Sequence, residues 1–544
     1  YELQPITSIH LYSKIQDEVE TGGNINTIYA FSVIAVLMLI IACINYMNLA
    51  TARYSKRARE VGIRKVAGSS KIQLVLQFLS ESLLFTFLAT VLSVLLIYLF
   101  LPQFNEIANK QIPFSTLFKT NLVFLLPSVV LITGILGGSY PAFYLSSFKP
   151  VNVLKGKMTS KGGVPGLRKI LVIFQFFISV GMLTSTLLVY RQLEFLSNKD
   201  LGFVKEQVVL IEMPDSEIRK KFQPLKDELL SIPEVRFVST ASSAPSEKML
   251  KMELGVETNI GTIEEIGVDF YFIGFDFIET LGLEIIEGRN LDAQFPSDTL
   301  YSVLVTEAMV SRMNWDEPLG KKFRIPVFGQ DTTVMKEVVG VIKNYHQNSL
   351  YDQIVPLTLV YRKSNDRLCV KIDGNDISNT IQKIEIRWKS IHPDKPFTFN
   401  FLDESLEAQY DQDERRGKLF TVFSALAIFI ACLGLLGLTA FTTEQRTKEI
   451  SIRKVNGASN RDLVILVAKD FLKLVFIGTA LALPAAWYFM DNWLENFAYK
   501  IVLWHESGIA LQATFLIIIA TLLTVGYHTI RAANENPARA LGSD

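Results

Sequence analysis

The charged residues with the most regular spacing in the chain are an acid followed four positions later by an arginine, present in two copies. Glu60 precedes Arg64 and Glu449 precedes Arg453, so the two pairs are separated by 389 residues. An acid and an arginine at positions i and i+4 lie on one face of a helix, and the acid-first order is the favourable one. This spacing can present a fixed charge pattern on a short, rigid helix.

Both pairs belong to a duplicated segment. Residues 57–70 read RAREVGIRKVAGSS and residues 446–459 read RTKEISIRKVNGAS, so 8 of 14 positions are identical. The same offset aligns residues 41–43 with residues 430–432, which read Ile-Ala-Cys in both places within apolar stretches of about bilayer length. The sequence therefore predicts two repeats of an apolar span followed by a basic helix.

Each basic helix carries signals for its end and for the start of the next helix. Glycine suits a helix C-cap, and a serine followed three residues later by a polar acceptor has the spacing of a capping box. The glycines are Gly68 and Gly457, and the capping pairs are Ser70 with Gln73 and Ser459 with Asp462. The alternative is that these are only basic loops that orient the spans, but orientation alone does not require Glu, Ile, Arg, Lys and Gly to recur in register.

Composition indicates a membrane protein with a substantial soluble part. Of 544 residues, 49% are hydrophobic and 20% are charged, with 54 basic and 54 acidic side chains. This balance, without a basic face with interleaved aromatics, argues against a nucleic-acid partner. The three cysteines, Cys43, Cys369 and Cys432, are too scattered for a disulfide framework or a thiolate metal site.

The expected fold is a polytopic α-helical membrane protein with seven spans and one large α+β extracytoplasmic domain. Every short loop rich in lysine and arginine falls on one side of these spans, which the positive-inside rule makes cytoplasmic. The domain contains short β-rich runs that alternate with helical candidates. The expected spans are 28–50, 73–101, 121–144, 170–190, 418–441, 463–489 and 510–530.

The domain boundaries follow from this topology. The chain begins at Tyr1 without a signal peptide, and the offset predicts an N-terminally truncated protein that lacks a first copy of the outer domain. A proline and a leucine follow the last span of each repeat at an offset of 387, as Pro150 with Leu154 and Pro537 with Leu541. The expected segments are 1–27, the end of a first extracytoplasmic domain; 28–145, the first three-span repeat; 146–190, a cytoplasmic linker and span; 191–416, the extracytoplasmic domain; and 417–544, the second three-span repeat.

The sequence contains no recognisable motif for enzymatic chemistry. No stretch fits G-x-x-x-x-G-K-[ST], so any ATP must be bound by another chain. The five histidines lack ligand spacing, which predicts no metal site; His346 is the best site candidate among them, although a polar turn after a strand explains it as well. Glu81 and Asp470 share the 389 offset inside expected spans, where acids are functional candidates by default. The alternative is local pairing near the interface, because Lys469 and Lys473 flank Asp470.

Longer motifs make the chain resemble the FtsX-like, MacB-type ABC transporter permeases in their double-length form. The resemblance covers the whole chain. Besides the two basic repeats, it rests on LRKILVIFQFFISVGMLTSTLLVYRQLEFLSNKDLGF (167–203), IIEGRNLDAQFPSD (285–298), VTEAMVSRMNWDEPLGKKF (305–323) and VVGVIKNYHQNSLYDQI (338–354).

The resemblance implies a bacterial inner-membrane permease whose basic helices dock on cognate ABC ATPase subunits, two in number. It also implies an outer domain that works on an extracytoplasmic partner or cargo, and no cofactor in this chain, because ATP and magnesium belong to the ATPase. Ser451 stands where the first copy has Gly62, which predicts unequal engagement of the two ATPases. The implied coupling residues are Glu60, Gly62, Ile63, Arg64, Lys65 and Gly68, with Glu449, Ile452, Arg453, Lys454 and Gly457; Val66 and Val455 join the isoleucines in the groove of the ATPase.

Three functions remain open from the sequence. The first is a permease that transmits ATP-driven movement to the outer domain, with a lipoprotein, peptide or drug-like cargo. The second is a regulator of the same architecture that activates a cell-wall hydrolase or senses peptides. The third is an ion-coupled secondary transporter in which Glu81 and Asp470 are the coupling groups.

Overall fold

A computed structural model of the chain describes residues 5, 11, 25–56, 58–119, 123–146, 164–245, 247, 249–327 and 332–534. It divides into two compact units, one made of Tyr1–Arg191, Arg415–Trp493 and Val502–Asp544, and one made of Gln192–Glu414 and Leu494–Ile501. The second unit therefore includes a short segment that the sequence assigns to the second repeat. Arg57, both proline–leucine motifs and nearly all of residues 1–27 lie outside the described residues.

The described helices follow the expected order of spans and basic helices. They are α1 (Ile25–Lys56), α2 (Ala58–Val66), α3 (Lys71–Ala108), α4 (Leu125–Ser146), α5 (Val164–Ser197), α6 (Ser216–Lys220), α7 (Phe222–Leu230), α8 (Phe277–Leu281), α9 (Glu307–Met313), α10 (Ile377–Ile391), α11 (Leu402–Gln445), α12 (Thr447–Val455), α13 (Asn460–Leu494) and α14 (Ser507–Ala533), with 3₁₀ turns at Phe114–Phe118, Pro296–Thr299 and Leu503–Glu506.

Among the described residues, five helical stretches are long and apolar enough to cross a bilayer, so the chain is a membrane protein. The apolar part of α4, Leu125–Ser139, is shorter. Helix α13 covers the expected span 463–489 but carries Lys469, Asp470 and Lys473 in its first half. Seven crossings therefore remain a prediction. The five stretches are Ile25–Ala50, Lys71–Ala108, Arg168–Ser197, Asp413–Gln445 and Leu503–Ala533.

Polar side chains join the long helices of the first unit. Asn45 Nδ2 of α1 donates to Ile430 O at 2.5 Å, and Gln175 Nε2 of α5 donates to Ala431 O at 2.7 Å. Both acceptors lie on α11, in the repeated Ile-Ala-Cys tripeptide. Because lipid tails are as apolar as leucine, helices in a bilayer associate through close packing and through hydrogen bonds of this kind.

The second unit contains strands β1 to β11, which form one sheet. Six of them close into a ring, because β3, β4, β9, β6, β8 and β7 pair in that order and β7 pairs again with β3. The strands are β1 (Val208–Glu212), β2 (Val235–Ala241), β3 (Leu250–Glu257), β4 (Ile263–Ile273), β5 (Ile285–Gly288), β6 (Ser302–Thr306), β7 (Lys322–Pro326), β8 (Thr333–Ile342), β9 (Leu357–Tyr361), β10 (Arg367–Ile372) and β11 (Phe399–Phe401).

The ring and the rest of the sheet each have a core of their own, and a third buried cluster is common to both, since it contains Leu359 of β9 and Cys369 of β10. Phe270, Val305 and Phe323 belong to a buried cluster supplied mainly by the ring strands. From β4 the sheet continues through β2, β10 and β1 to β11, and β5 pairs with β8 of the ring. Helices α7 and α10 cover one face of that continuation, with Leu225 and Trp388 in its core. The expected α+β character of this region is therefore present.

The motif at residues 285–298 folds a loop around one buried carboxylate. The Asp298 side chain is fully buried and accepts hydrogen bonds from both terminal nitrogens of Arg289, at 2.5 and 2.9 Å. It also accepts hydrogen bonds from Ser302 Oγ at 2.7 Å and from the Asp292 backbone N–H at 3.0 Å. Burial opposes ionisation of Asp298, but the bonds from Arg289, Asp292 and Ser302 outweigh it and hold the pKa of this carboxyl below its usual range.

The Arg289→Met variant is expected to destabilise the folded domain in a pH-dependent manner. An aspartate whose folded pKa is depressed stabilises the fold above its unfolded pKa of about 3.9, and that stability is lost as the pH falls. We expect a loss of about 2 kcal/mol at pH 7, since a hydrogen bond to a charged group is removed from a partly exposed arginine.

Thermal unfolding of the full-length protein in detergent tests this expectation. At about 2–4 °C per kcal/mol, the midpoint of the domain transition should fall by about 4–8 °C at pH 7. The difference between variant and wild type should shrink as the pH approaches 3. A difference that is constant across this range would show that the ionised carboxylate of Asp298 does not depend on Arg289.

Candidate functional site

The two basic helices, α2 and α12, carry the predicted ion pairs. Arg64 Nη2 lies 2.7 Å from Glu60 Oε1, and Arg453 Nη2 lies 2.8 Å from Glu449 Oε1. All four side chains are between 41% and 47% exposed. Exposed pairs of this type contribute about 0.5 kcal/mol or less, so their effect is to hold the arginine in one orientation rather than to stabilise the fold.

The turns around these helices have the expected geometry. Gly68 and Gly457 have φ of +99° and +90°, which residues with a side chain rarely adopt. The Gln73 N–H donates to Ser70 Oγ and the Ser70 N–H donates to Gln73 Oε1, which forms a complete capping box. The second box, between Ser459 and Asp462, has the same two bonds at 3.0 and 3.3 Å. The same hydrogen-bonded turn therefore connects each basic helix to the long helix that follows.

Each basic helix has one apolar face that is covered and one that is open. Val61 and Ile450, which correspond at the 389 offset, are 2% and 1% exposed and pack into the helix cores. Gly62 and Ser451 lie on the same buried face. The difference between these two residues therefore faces the helix bundle.

The open face of each basic helix combines the exposed arginine with large apolar residues. Ile63 and Val66 are 55% and 66% exposed on α2, and Ile452 and Val455 are 51% and 66% exposed on α12. Exposed apolar groups around an oriented arginine have the composition of a protein-docking surface. Each basic helix thus has one open face of four residues, and we call these two surfaces the coupling faces: Glu60, Ile63, Arg64 and Val66 on α2, and Glu449, Ile452, Arg453 and Val455 on α12.

Lys65 and Lys454 do not belong to the coupling faces. Lys65 Nζ donates to Ser146 O at 2.6 Å, and Lys454 Nζ donates to Ala533 O. Ser146 is the last described residue of α4, and Ala533 is the last residue of α14. The two lysines, assigned from the resemblance to ATPase contact, therefore bond within their own repeat.

The acid Asp470 pairs with the start of the second basic helix. Arg446 Nη2, at the N-cap of α12, lies 3.0 Å from Asp470 Oδ2, and the Asp470 side chain is 56% exposed. Glu81 occupies the corresponding position on α3 and is half-buried. The residue that would match Arg446 is Arg57, outside the described residues.

No metal site is found in the part of the chain that the structure describes: no group of three or more His, Cys, Asp or Glu side chains could hold an ion. His346 is 8% exposed, and its ring packs edge-on against Tyr499 at 4.7 Å. Burial and nearby Lys199 hold the pKa of His346 below its ordinary value of 6.5. This arrangement fits a neutral packing residue.

The segment Leu494–Ile501, which begins at the last residue of α13, makes contacts in the folded domain that sequence reasoning missed. The buried side chain of Gln192 donates to Tyr499 O at 2.9 Å and accepts the Ile501 N–H at 3.0 Å. The Phe497 ring stacks on Tyr351 at 4.8 Å. Partners that are 146 to 309 positions apart leave no local signal in the sequence.

Comparisons with known proteins agree on one family. The family model described as FtsX-like permease C-terminal matches residues 32–150 and 421–537. The macrolide export ATP-binding/permease protein MacB of Salmonella paratyphi A is 31% identical over 343 residues, which cover 59% of this chain and 49% of that protein. The MacB of Bdellovibrio bacteriovorus is 30% identical over 122 residues, which cover 22% and 18%.

A solved structure, the periplasmic region of MacB from Actinobacillus actinomycetemcomitans, aligns with 39% of this chain and 97% of that chain, at 16% identity and a TM-score of 0.28. The chain spans less than half the length of either curated relative. Both relatives carry an ATP-binding part in their names, whereas the present sequence has no phosphate-binding loop motif.

Proposed function

We propose that the chain, an FtsX-like, MacB-type permease, belongs to an ABC transporter and couples ATP hydrolysis by separate ATPase subunits to movement of its folded domain. The observation that carries the proposal is the pair of coupling faces, which repeat at an interval of 389 residues with the same exposed arginine, acid and apolar side chains. Two such faces suit two ATPase subunits.

Helix continuity supports transmission of that movement. Helix α11 runs without interruption from Leu402 to Gln445, and α12 begins two residues later at Thr447. A displacement of α12 by a docked ATPase would therefore act directly on the end of a 44-residue helix. Force passes only through contacts that differ between the ATP-bound and ATP-free states, and a rigid, capped helix meets this requirement.

The cargo belongs to the proposal only as a class. The relatives are named for macrolide export, and a lipoprotein, a peptide or a drug-like molecule would suit an outer domain that works on cargo or a partner protein from outside the membrane. The position of Asp470 favours this function over ion-coupled transport. Its carboxylate is engaged by Arg446 at the base of a coupling helix, which suits a mechanical role better than ion binding.

Association with an ATPase tests the proposal directly. The full chain should co-purify with the soluble ABC ATPase encoded beside it, and ATP hydrolysis by the complex should respond to substitutions in the coupling faces. Normal export or regulation in a strain that lacks any such ATPase would overturn the proposal. Co-purification of a cell-wall hydrolase with the complex would redirect it toward the regulatory function.

The proposal also predicts on which side of the membrane each region lies. Single cysteines at Ser69 and Ser459, beside the coupling faces, should resist an impermeant thiol reagent in intact cells, whereas a cysteine at Ser297 of the folded domain should react. All three cysteines should react after the cells are opened, which controls for buried thiols. Reaction of the cysteine at position 459 in intact cells would place the coupling faces outside and refute this topology.

A further inference from the structure

The lysine that follows each coupling arginine reaches the end of another helix in the same repeat. Lys65 Nζ donates to Ser146 O at 2.6 Å, and Lys454 Nζ donates to Ala533 O and lies 3.3 Å from Asn534 Oδ1. The lysines correspond at an offset of 389 residues and their acceptors at 387. The same connection is therefore built twice, to α4 in one repeat and to α14 in the other.

Electrostatics favours a lysine at these positions. The last carbonyls of a helix have no partner within the helix, and the helix dipole makes this end negative. A lysine ammonium satisfies a free carbonyl and is attracted to the dipole at the same time. A neutral donor could supply the hydrogen bond but not the positive charge.

Apolar packing joins the same pairs of helices independently of the lysines. Val61 of α2 and Ala142 of α4 belong to one buried cluster, and Ile450 of α12 and Ala533 of α14 belong to another. Each coupling helix therefore touches the C-terminal turn of the third long helix of its repeat at two points. One contact is apolar and can slide, whereas the other is a directed, charged hydrogen bond.

We propose that Lys65 and Lys454 are positioning residues that fasten each coupling helix to the end of the third long helix, so that α4 and α14 move with α2 and α12. This inference rests on the proposed function and adds a second route to it, since α11 carries movement away from α12 along one path and α14 along another. It also removes both lysines from the ATPase interface, where the resemblance puts them.

The test compares variants of the complex with the ABC ATPase that co-purifies with the chain, by hydrogen exchange with and without ATP. In the wild type, ATP should change exchange in the coupling helices, 58–66 and 447–455, and also in the ends of α4 and α14. With Lys65→Met and Lys454→Met together, ATPase association should stay within twofold of wild type, and the ATP response should persist in the coupling helices. The response at the ends of α4 and α14 should disappear, and coupled activity should fall about tenfold.

Three further variants sharpen the result. Arginine at both positions keeps a cationic donor and should restore most of the response at the helix ends. Lys469→Met, an exposed lysine of α13, is the matched control and should leave every readout unchanged. Asn534→Asp adds a carboxylate near Lys454 without removing the lysine, so it should fold and should retain the response at the end of α14.

Two outcomes would overturn the inference. One is loss of ATPase association in the methionine variants, which would make the lysines docking contacts. The other is an ATP response at the helix ends that does not depend on the lysines. This would be a response at the ends of α4 and α14 that persists in the methionine variants, or one at the end of α14 that disappears in Asn534→Asp. A wild-type complex in which ATP changes nothing, even in the coupling helices, would instead contradict the proposed function, so the two failures are distinguishable.

Discussion

Alanine at both Arg64 and Arg453 is expected to leave the protein inserted and folded while abolishing its ATP-dependent activity. Both arginines are about half-exposed and are oriented by an acid one turn earlier. Truncating an interface arginine that becomes buried on docking costs about 2 kcal/mol or more. That corresponds to roughly 30-fold in affinity at each face, so the double variant should lose stable ATPase association.

Pull-down of the ATPase and hydrolysis by the complex measure this effect. Glu60→Gln removes only an exposed pair and should change association little, by about 0.5 kcal/mol. Arg387→Ala is the matched control, since Arg387 is 47% exposed and pairs with Glu228 at 3.3 Å in the folded domain. Wild-type association of the Arg64→Ala, Arg453→Ala double variant with normal hydrolysis would reduce both coupling faces to topology signals.

The two single variants, Arg64→Ala and Arg453→Ala, are expected to differ in severity. The sequence points to Ser451 in place of Gly62, but both residues face the helix bundle. The structure offers a different asymmetry, because Arg64 Nη1 also donates to Gln77 Oε1 at 2.9 Å, and the position 389 residues later is Leu466. Arg64 is therefore held by an acceptor on α3 that has no counterpart in the second copy.

The local features of the coupling helices could be predicted from the sequence because their causes are local. An acid and an arginine one turn apart, a glycine at a helix end and a serine at a helix start each depend on at most four neighbouring residues. The structure contains all of them in both copies. Helical bounds near the expected spans follow from hydropathy in the same way.

The partners of long-range contacts could not be predicted, because periodicity gives no information about them. The acceptor of Lys65 lies 81 residues away, and that of Lys454 lies 79 residues away. The closed ring of strands depends on pairings such as β4 with β9, which no turn signal specifies. The 387 offset of the proline–leucine motifs was the one sequence signal that aligned the ends of α4 and α14.

The contact between the two repeats yields the second large prediction. Asn45 on α1 and Gly434 on α11 correspond at the 389 offset, and in the structure they meet. A Cβ at Gly434 would overlap Asn45 Oδ1 and lie 2.5 Å from Asn45 Cγ. Since the Asn45 side chain also bonds to Ile430 O, it cannot move aside without losing that hydrogen bond.

Gly434→Ala is therefore expected to destabilise the membrane part of the protein by about 3 kcal/mol, from overpacking together with a lost buried hydrogen bond. Alanine is otherwise the better helix former, by about 1 kcal/mol, so the sign of the effect is informative. Gly181→Ala on α5 is the matched control, because a Cβ there meets nothing within 4 Å. It should be neutral or slightly stabilising in thermal unfolding of the full-length protein in detergent.

A second substitution decides whether the loss arises at this contact. Asn45→Ala removes a bond to Ile430 O, but it also removes Oδ1, which is buried and accepts no hydrogen bond from the described residues, so it should cost only about 1 kcal/mol. Combined with Gly434→Ala, it makes room for the new methyl group, and the double variant should recover about 2 kcal/mol relative to Gly434→Ala alone. A double variant as unstable as Gly434→Ala would locate the strain elsewhere on α11. Recovery would instead establish that the Asn45 side chain fills the space left by the missing side chain of Gly434, its counterpart in the other repeat. The duplicated helices α1 and α11 would then pack together because the two copies differ at this position.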